Sequence, residues 1–198
     1  MKVFLIHGIF DDGRLFKKMD KYLKNLGIIT IIPSLKPADA RHGINDLANK
    51  LKIIIDQHTD KNEKFTIVGF SLGCLISRAY LQDLGGANRC INFHAISGPH
   101  SGSTLAYFFV GQGAKDLRPN SLFLRMLDKT QHRLKHINLF SYRTPFDLMI
   151  VPSKSSHWPI AKNYITQTPM HRMMLNNRLV LESIKNSLTS ELSCVCNS

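Results

Sequence analysis

One serine in this sequence stands in a setting built for nucleophilic chemistry. The apolar, β-rich run Phe65-Thr66-Ile67-Val68 leads into Gly69-Phe70-Ser71-Leu72-Gly73, and an amphipathic stretch follows from Ser71 to Leu84. A G-x-S-x-G pentapeptide between strand and helix places its serine on a sharp, strained turn that lifts the hydroxyl above a sheet. The residues two before and two after must lack bulk so that strand and helix can approach closely, and Gly69 and Gly73 meet that need. The Leu72 N–H then sits at a helix N-terminus, where the dipole favours developing negative charge. A second donor is expected after the first strand, Val3 to Ile6, in the loop His7-Gly8-Ile9-Phe10. Gly8 lets that loop fold over the serine. Between the N–H groups of Ile9 and Phe10, Ile9 is the expected partner of Leu72, and His7 reads as structural.

A serine hydroxyl becomes a nucleophile when a base takes its proton and an acid orients the base. On a strand–turn–helix site the partners follow in chain order, acid and then histidine. The strand Ile137 to Tyr142 runs into Arg143-Thr144-Pro145-Phe146-Asp147, which makes Asp147 the candidate acid. Asp83, Asp116 and Asp128 are rivals by type, but they fall in or beside helical stretches and read as solvated face residues. Of nine histidines, only His157 and His171 follow Asp147. His157 lies in a polar loop beside Trp158 and reads as a lining or packing residue. His171 follows the short extended stretch Asn163 to Thr166, where a loop histidine can lean over a sheet edge, and is the expected general base.

The elements that must carry these residues alternate along the chain. Strand-like runs at Val3–Ile6, Ile28–Ile32, Phe65–Val68, Cys90–Ile96 and Ile137–Tyr142 take turns with helical stripes at Arg14–Leu26, Ile44–Ile55 and Ser71–Leu84, with a last helix from about His171 to Leu188. Nearly continuous apolar strands with intervening helices predict an α/β fold, a mostly parallel sheet with helices on both faces. Ligands of such sheets bind beyond the carboxyl ends of the strands, and all the residues singled out above follow strands. The 198 residues suit one catalytic domain, expected over 1–190, with a short tail at 191–198.

Composition narrows the partners. Twenty-six Lys and Arg against 14 Asp and Glu give a net charge of +12. The basic residues are scattered rather than striped with aromatics, which argues against nucleic acid and leaves peripheral contact with an anionic membrane as the charge-based expectation. The run Leu105 to Val110 falls far short of the ~18 apolar residues of a membrane span. Met1-Lys2 precedes only four apolar residues, too few for a signal-peptide core, so a cytoplasmic location is expected. Cys74 and Cys90 read as small buried hydrophobes, and Cys194 and Cys196 form a pair without a second pair of ligands, so no metal is expected.

With Ser71, Asp147 and His171 in place, the sequence resembles the α/β-hydrolase superfamily, in particular the small lidless bacterial lipases and esterases and the lipase-like serine hydrolases that include GPI-anchor deacylases. Three further segments carry the likeness: Ser97-Gly98-Pro99-His100-Ser101-Gly102-Ser103, the stretch Leu117-Arg118-Pro119-Asn120-Ser121 with Phe123-Leu124 and Leu127, and Asp147-Leu148-Met149-Ile150-Val151-Pro152. Phe70, Cys74 and Met170 depart from the usual pattern without removing a reacting atom. The resemblance implies a minimal hydrolase sheet of about six strands, no cofactor, and cleavage of carboxylic acyl esters through an acyl-enzyme. Phospholipid or lipid-anchor deacylation and thioester cleavage are open to the same chemistry. A non-catalytic binding protein that kept the fold is the alternative of another class. The segment Leu105 to Ala114 is read either as an apolar flap beside the site or as a buried helix.

Overall fold

A computed structural model describes the backbone of residues 2–195 and the side chains of residues 2–190. Six strands, β1 (Lys2–Ile6), β2 (Ile29–Ile31), β3 (Phe65–Phe70), β4 (Cys90–Ile96), β5 (Asn138–Arg143) and β6 (Lys162–Ile165), form one sheet in the order β2-β1-β3-β4-β5-β6. Every neighbouring pair is parallel. The expected sheet is therefore realised, and it is parallel throughout rather than mostly so. The chain passes from β1 to β2 on one side and then crosses back to β3 on the other, so the carboxyl ends of β1 and β3 flank the crevice where such sheets bind ligands.

Side-chain alternation along β1 explains the two-layer cover. Phe4 and Ile6 join a core with α2 (Ile44–His58), α3 (Leu72–Asp83) and α5 (Leu122–Thr130), while Val3 and Leu5 join one with α1 (Lys17–Asn25) and α6 (Arg178–Val195). Each helix presents a stripe at helical spacing: Ile44, Leu47, Ala48, Leu51 and Ile55 on α2, and Val180, Ile184 and Leu188 on α6. α3 is buried from Leu72 through Gln82, because it lies between the sheet and its neighbouring helices.

Helix boundaries follow local chemistry. Gly27, at φ +76°, closes α1: its N–H donates to the Lys24 carbonyl and the Ile28 N–H to that of Leu23, a Schellman pair. α6 starts later than the apolar stripe suggests. His171–Asn176 is a 3-10 turn, and Asn177 breaks it from α6, its Oδ1 accepting from the Leu179 N–H at 2.9 Å. α6 then continues to Val195, through part of the segment read as a tail, whereas Cys194 and Cys196 fall outside the residues whose side chains are described.

One buried carboxylate corrects the sequence reading. Asp116, expected on a solvated face, is buried in α4 (Gln112–Leu117), where its Oδ2 accepts from the Ile44 N–H at 2.9 Å and so caps α2 from a distant segment. Asp128 carries an exposed carboxylate, but it pairs at 3.1 Å with the fully buried Arg78, whose guanidinium also lies 4.8 Å over the Trp158 ring. Trp158 stacks in turn on His100 at 4.5 Å, which gives the Gly-Pro-His stretch after β4 a packing role. Burial pushes the Cys74 and Cys90 thiols up, so both behave as the apolar residues expected of them.

His94, in the centre of β4, hydrogen-bonds Tyr142 at 2.8 Å and Ser187 at 2.9 Å, tying β4 and β5 to α6. Burial lowers its pKa to about 3, and burial with the charge of Arg78 lowers that of His100 as well. Both folded values lie below the unfolded one of about 6.5, so the unfolded chain binds these protons more tightly and stability is lost as pH falls below that value. Urea denaturation should show a midpoint that declines from about pH 7 to about pH 4.5, each histidine contributing up to about 1.4 kcal/mol per pH unit. In His94→Gln the decline should be shallower, although the variant is less stable at neutral pH.

Candidate active site

The turn after β3 is built by close backbone contact. A Cβ on Gly73 would overlap the carbonyl oxygens of Ile6 and His7, and one on Gly69 would come within 2.9 Å of the Cys74 Cα. The two glycines thus let α3 begin directly against the ends of β1 and β3. Ser71, between them, is held at φ +54° and ψ −122°, a region that a non-glycine residue occupies only when its surroundings dictate it. The Ser71 N–H donates to the Ile96 carbonyl at 2.9 Å, and the Ser71 carbonyl accepts from the Cys74 N–H at 3.0 Å.

The loop after β1 lies against the same turn. A Cβ on Gly8 would stand 3.1 Å from the Ser71 Cβ. His7 is buried: its Nε2 accepts from the Leu35 N–H and its Nδ1 donates to the Gly8 carbonyl, each at 2.9 Å, so it is a brace for the loop. The Phe10 N–H is committed to the Ala38 carbonyl at 2.9 Å. Among the described residues, the Ile9 and Leu72 N–H groups have no partner within the protein.

Asp147 and His171 meet although 24 residues apart. The His171 Nδ1 donates to Asp147 Oδ2 at 2.7 Å, and Asp147 Oδ1 accepts from the N–H groups of Met149 at 2.9 Å and Ile150 at 3.0 Å. Burial alone would raise the Asp147 pKa. The bond and charge of His171, with the two backbone donors, outweigh it and hold the carboxyl below its ordinary value. The Thr144 hydroxyl donates to the Thr168 carbonyl, fastening the acid-bearing loop to the one that carries His171. Phe70 packs its ring 4.7 Å from the imidazole.

Ser71 and His171 line one cleft of about 440 Å³, walled by apolar side chains that include Ile9, Phe70, Leu148, Met149 and Met173. Among the described residues no hydrogen bond joins Ser71 to His171; such contacts tighten in many hydrolases only with substrate bound. His157, the other histidine after Asp147, is exposed and outside the cleft. The sequence reading missed Arg172 and Asp11, which pair at 3.2 Å across the mouth. Only their positions beside His171 and Ile9 hinted at it. Among the described residues, no cluster of three or more His, Cys, Asp or Glu side chains gathers as a metal site would require, and no helix is long and apolar enough to cross a membrane.

The family model of palmitoyl protein thioesterase matches residues 2–130, from β1 through α5 and across the Ser71 turn. The chain belongs to the palmitoyl protein thioesterase family. Its fold is that of the α/β-hydrolase superfamily. The mature lipase BlEst2 of Bacillus licheniformis is 16% identical with a TM-score of 0.76, covering 93% of this chain and 90% of its own. Aspergillus fumigatus lipase B is 14% identical with a TM-score of 0.77 over 91% of this chain, which spans half the length of that enzyme. The ydeN gene product of B. subtilis is 19% identical with a TM-score of 0.67, over 95% of this chain and 98% of its own. At these identities the likeness is one of fold, and no curated protein matches the sequence. Family and fold together make this thioesterase-family chain a hydrolase.

The contact between Gly73 and the end of β1 can be tested directly. Gly73→Ala should cost about 3 kcal/mol, the upper range for overpacking against atoms that cannot move aside, as measured by chemical denaturation.

Proposed function

We propose that this protein is a serine hydrolase of the esterase and lipase type, cleaving carboxylic esters of apolar acyl chains through an acyl-enzyme. The observation that carries the reading is the 2.7 Å His171–Asp147 bond at the wall of an apolar cleft that also holds the strained Ser71. In this reading Ser71 Oγ attacks the acyl carbonyl while His171 Nε2 takes its proton. Asp147 fixes the tautomer that leaves Nε2 free to accept and stabilises the imidazolium that forms. The Ile9 and Leu72 N–H groups receive the negative charge of the tetrahedral intermediate. Collapse expels the alcohol with the proton from His171. Water, deprotonated by the same imidazole, then attacks the acyl-serine to release the acid and restore Ser71.

The cleft supports an acyl chain as the buried part of the substrate, since its walls offer aliphatic, aromatic and thioether groups and few polar partners. A second reading, an acyl thioesterase, is favoured by the family match over residues 2–130. A thioester presents the same carbonyl to the same serine and differs in expelling a thiol.

Ser71→Ala should lower kcat toward acyl esters on the order of 10⁶-fold, and Asp147→Asn about 10⁴-fold, with the folded state retained. An unchanged rate in Ser71→Ala would reject the reading. Along a series of p-nitrophenyl esters and matched acyl thioesters, kcat/KM should rise about fourfold per methylene until the cleft is filled. The ratio between the two series decides which leaving group the site prefers.

A further inference from the structure

Beside the cleft, the end of the 3-10 turn Thr104–Phe108 and the chain that follows it to α4 thrust apolar side chains into solvent. Phe108 is 84% exposed and Val110 96%, values at which a phenylalanine and a valine contribute nothing to the core. The projection is well anchored. Thr104 N–H donates to the Val151 carbonyl at 2.8 Å, Val151 N–H donates to Ser103 Oγ at 3.0 Å, and Gln112 N–H donates to the Arg41 carbonyl at 3.2 Å. The Arg118 guanidinium lies 5.0 Å over the Tyr107 ring and braces the loop from beneath. Phe109 meets Phe10, a cleft residue, at 6.2 Å between ring centres, so the projection continues into the exposed apolar rim of the mouth at Leu148 and Met170.

Cations near this apolar face outnumber the carboxylates that reach its surface. Arg41 stands beside Gly111, Lys115 follows on α4, and Arg172 stands at the mouth, all three exposed. Asp39 pairs with Arg41 at 2.7 Å and Asp11 with Arg172 at 3.2 Å, Asp116 caps α2 from the interior, and Lys115 and Arg118 are left without an ion pair among the described residues. The chain as a whole carries +12. An apolar projection with basic residues around it matches a bilayer with anionic headgroups, acyl region and phosphate layer together, better than a neutral or basic protein surface.

We propose that the face carrying the cleft mouth seats on an anionic lipid bilayer, with Phe108 and Val110 entering the acyl region and Arg41, Lys115 and Arg172 meeting the phosphates. The cleft then opens onto the layer from which an acyl chain would be drawn. That last step rests on the acyl-hydrolase reading, whereas the docking itself does not.

The test is co-sedimentation of the Ser71→Ala protein with phosphatidylcholine vesicles, with and without about 30% phosphatidylglycerol, a readout that involves no chemistry. Binding to the anionic vesicles is expected, falling steeply between about 0.05 and 0.5 M salt. The double variant Phe108→Ser/Val110→Ser should bind at least about tenfold more weakly. In the Ser71-containing protein the same double variant should keep full activity on a soluble short-chain ester. Arg41→Ala/Lys115→Ala should also weaken binding, by about fivefold per charge. Equal binding of the Phe108/Val110 variant, indifference to phosphatidylglycerol, or a dimer in sedimentation that the same two substitutions abolish would overturn the proposal. Binding without any esterase or thioesterase activity in the intact protein would instead overturn the functional reading and leave the docking standing.

Discussion

The rest of the site depends on how closely α3 can start to the ends of β1 and β3. Gly73 lies against the carbonyl oxygens of Ile6 and His7, and Gly69 against the backbone of Cys74, so no side chain separates strand from helix there. That contact forces the tight reversal in which Ser71 adopts a positive φ, and it sets the first turn of α3 beside the loop of Gly8 and Ile9. Strain at a single serine of about 1–3 kcal/mol is tolerated because the helix that follows is buried along almost its whole length and cannot relax without losing that packing. Stability is thereby converted into position: a helix buried along nearly its whole length holds a strained residue at its start.

The electrostatics of the cleft follow from the same geometry. Asp147 is a buried carboxylate, and a buried charge without partners would be neutralised or would destabilise the fold. Two backbone N–H groups and one imidazole N–H satisfy it, which keeps it ionised in an apolar setting. Its charge is felt most strongly by His171, whose ring is fixed by that bond on one side and by Phe70 on the other. Phenylalanine at position 70, a departure from the pattern of the lipases the sequence resembles, thus has a packing explanation here.

What could be read from the sequence was what local pattern encodes. The strands are apolar because both faces are covered, the helices show their stripes, and Ser71 is flagged by two glycines whose spacing has a steric cause. Asp147 and His171 were reachable by chain order and by their position after strands, and they meet in the structure. The contacts that escaped notice join segments with no local signature. Asp116 caps a helix 72 residues earlier, Arg78 is buried beneath Trp158, and Asp11 crosses the cleft to Arg172. A charged residue looks the same in sequence whether it is solvated or satisfied from afar, so the reading defaulted to the surface, and for Asp116 it was wrong. The chain from Leu105 to Ala114 was ambiguous for the opposite reason: apolar composition does not say whether a segment is covered.

The loop that holds the acid also shapes the outside of the molecule. To bond Asp147 Oδ1, the N–H groups of Met149 and Ile150 must turn inward, and the chain curls tightly around the carboxylate. Of the three residues in that curl only Ile150 finds room inside; Leu148 is left 81% exposed, and Met149 lines the cleft with half its surface in water. An exposed rim is therefore a geometric consequence of stabilising the buried charge with the loop's own backbone. A polar residue at position 148 would satisfy the same hydrogen bonds, since those come from main chain, so leucine there is not required by the fold. Its presence, continuous with the projecting aromatics between Tyr107 and Val110, is a property of the surface and has to be explained by what that surface meets.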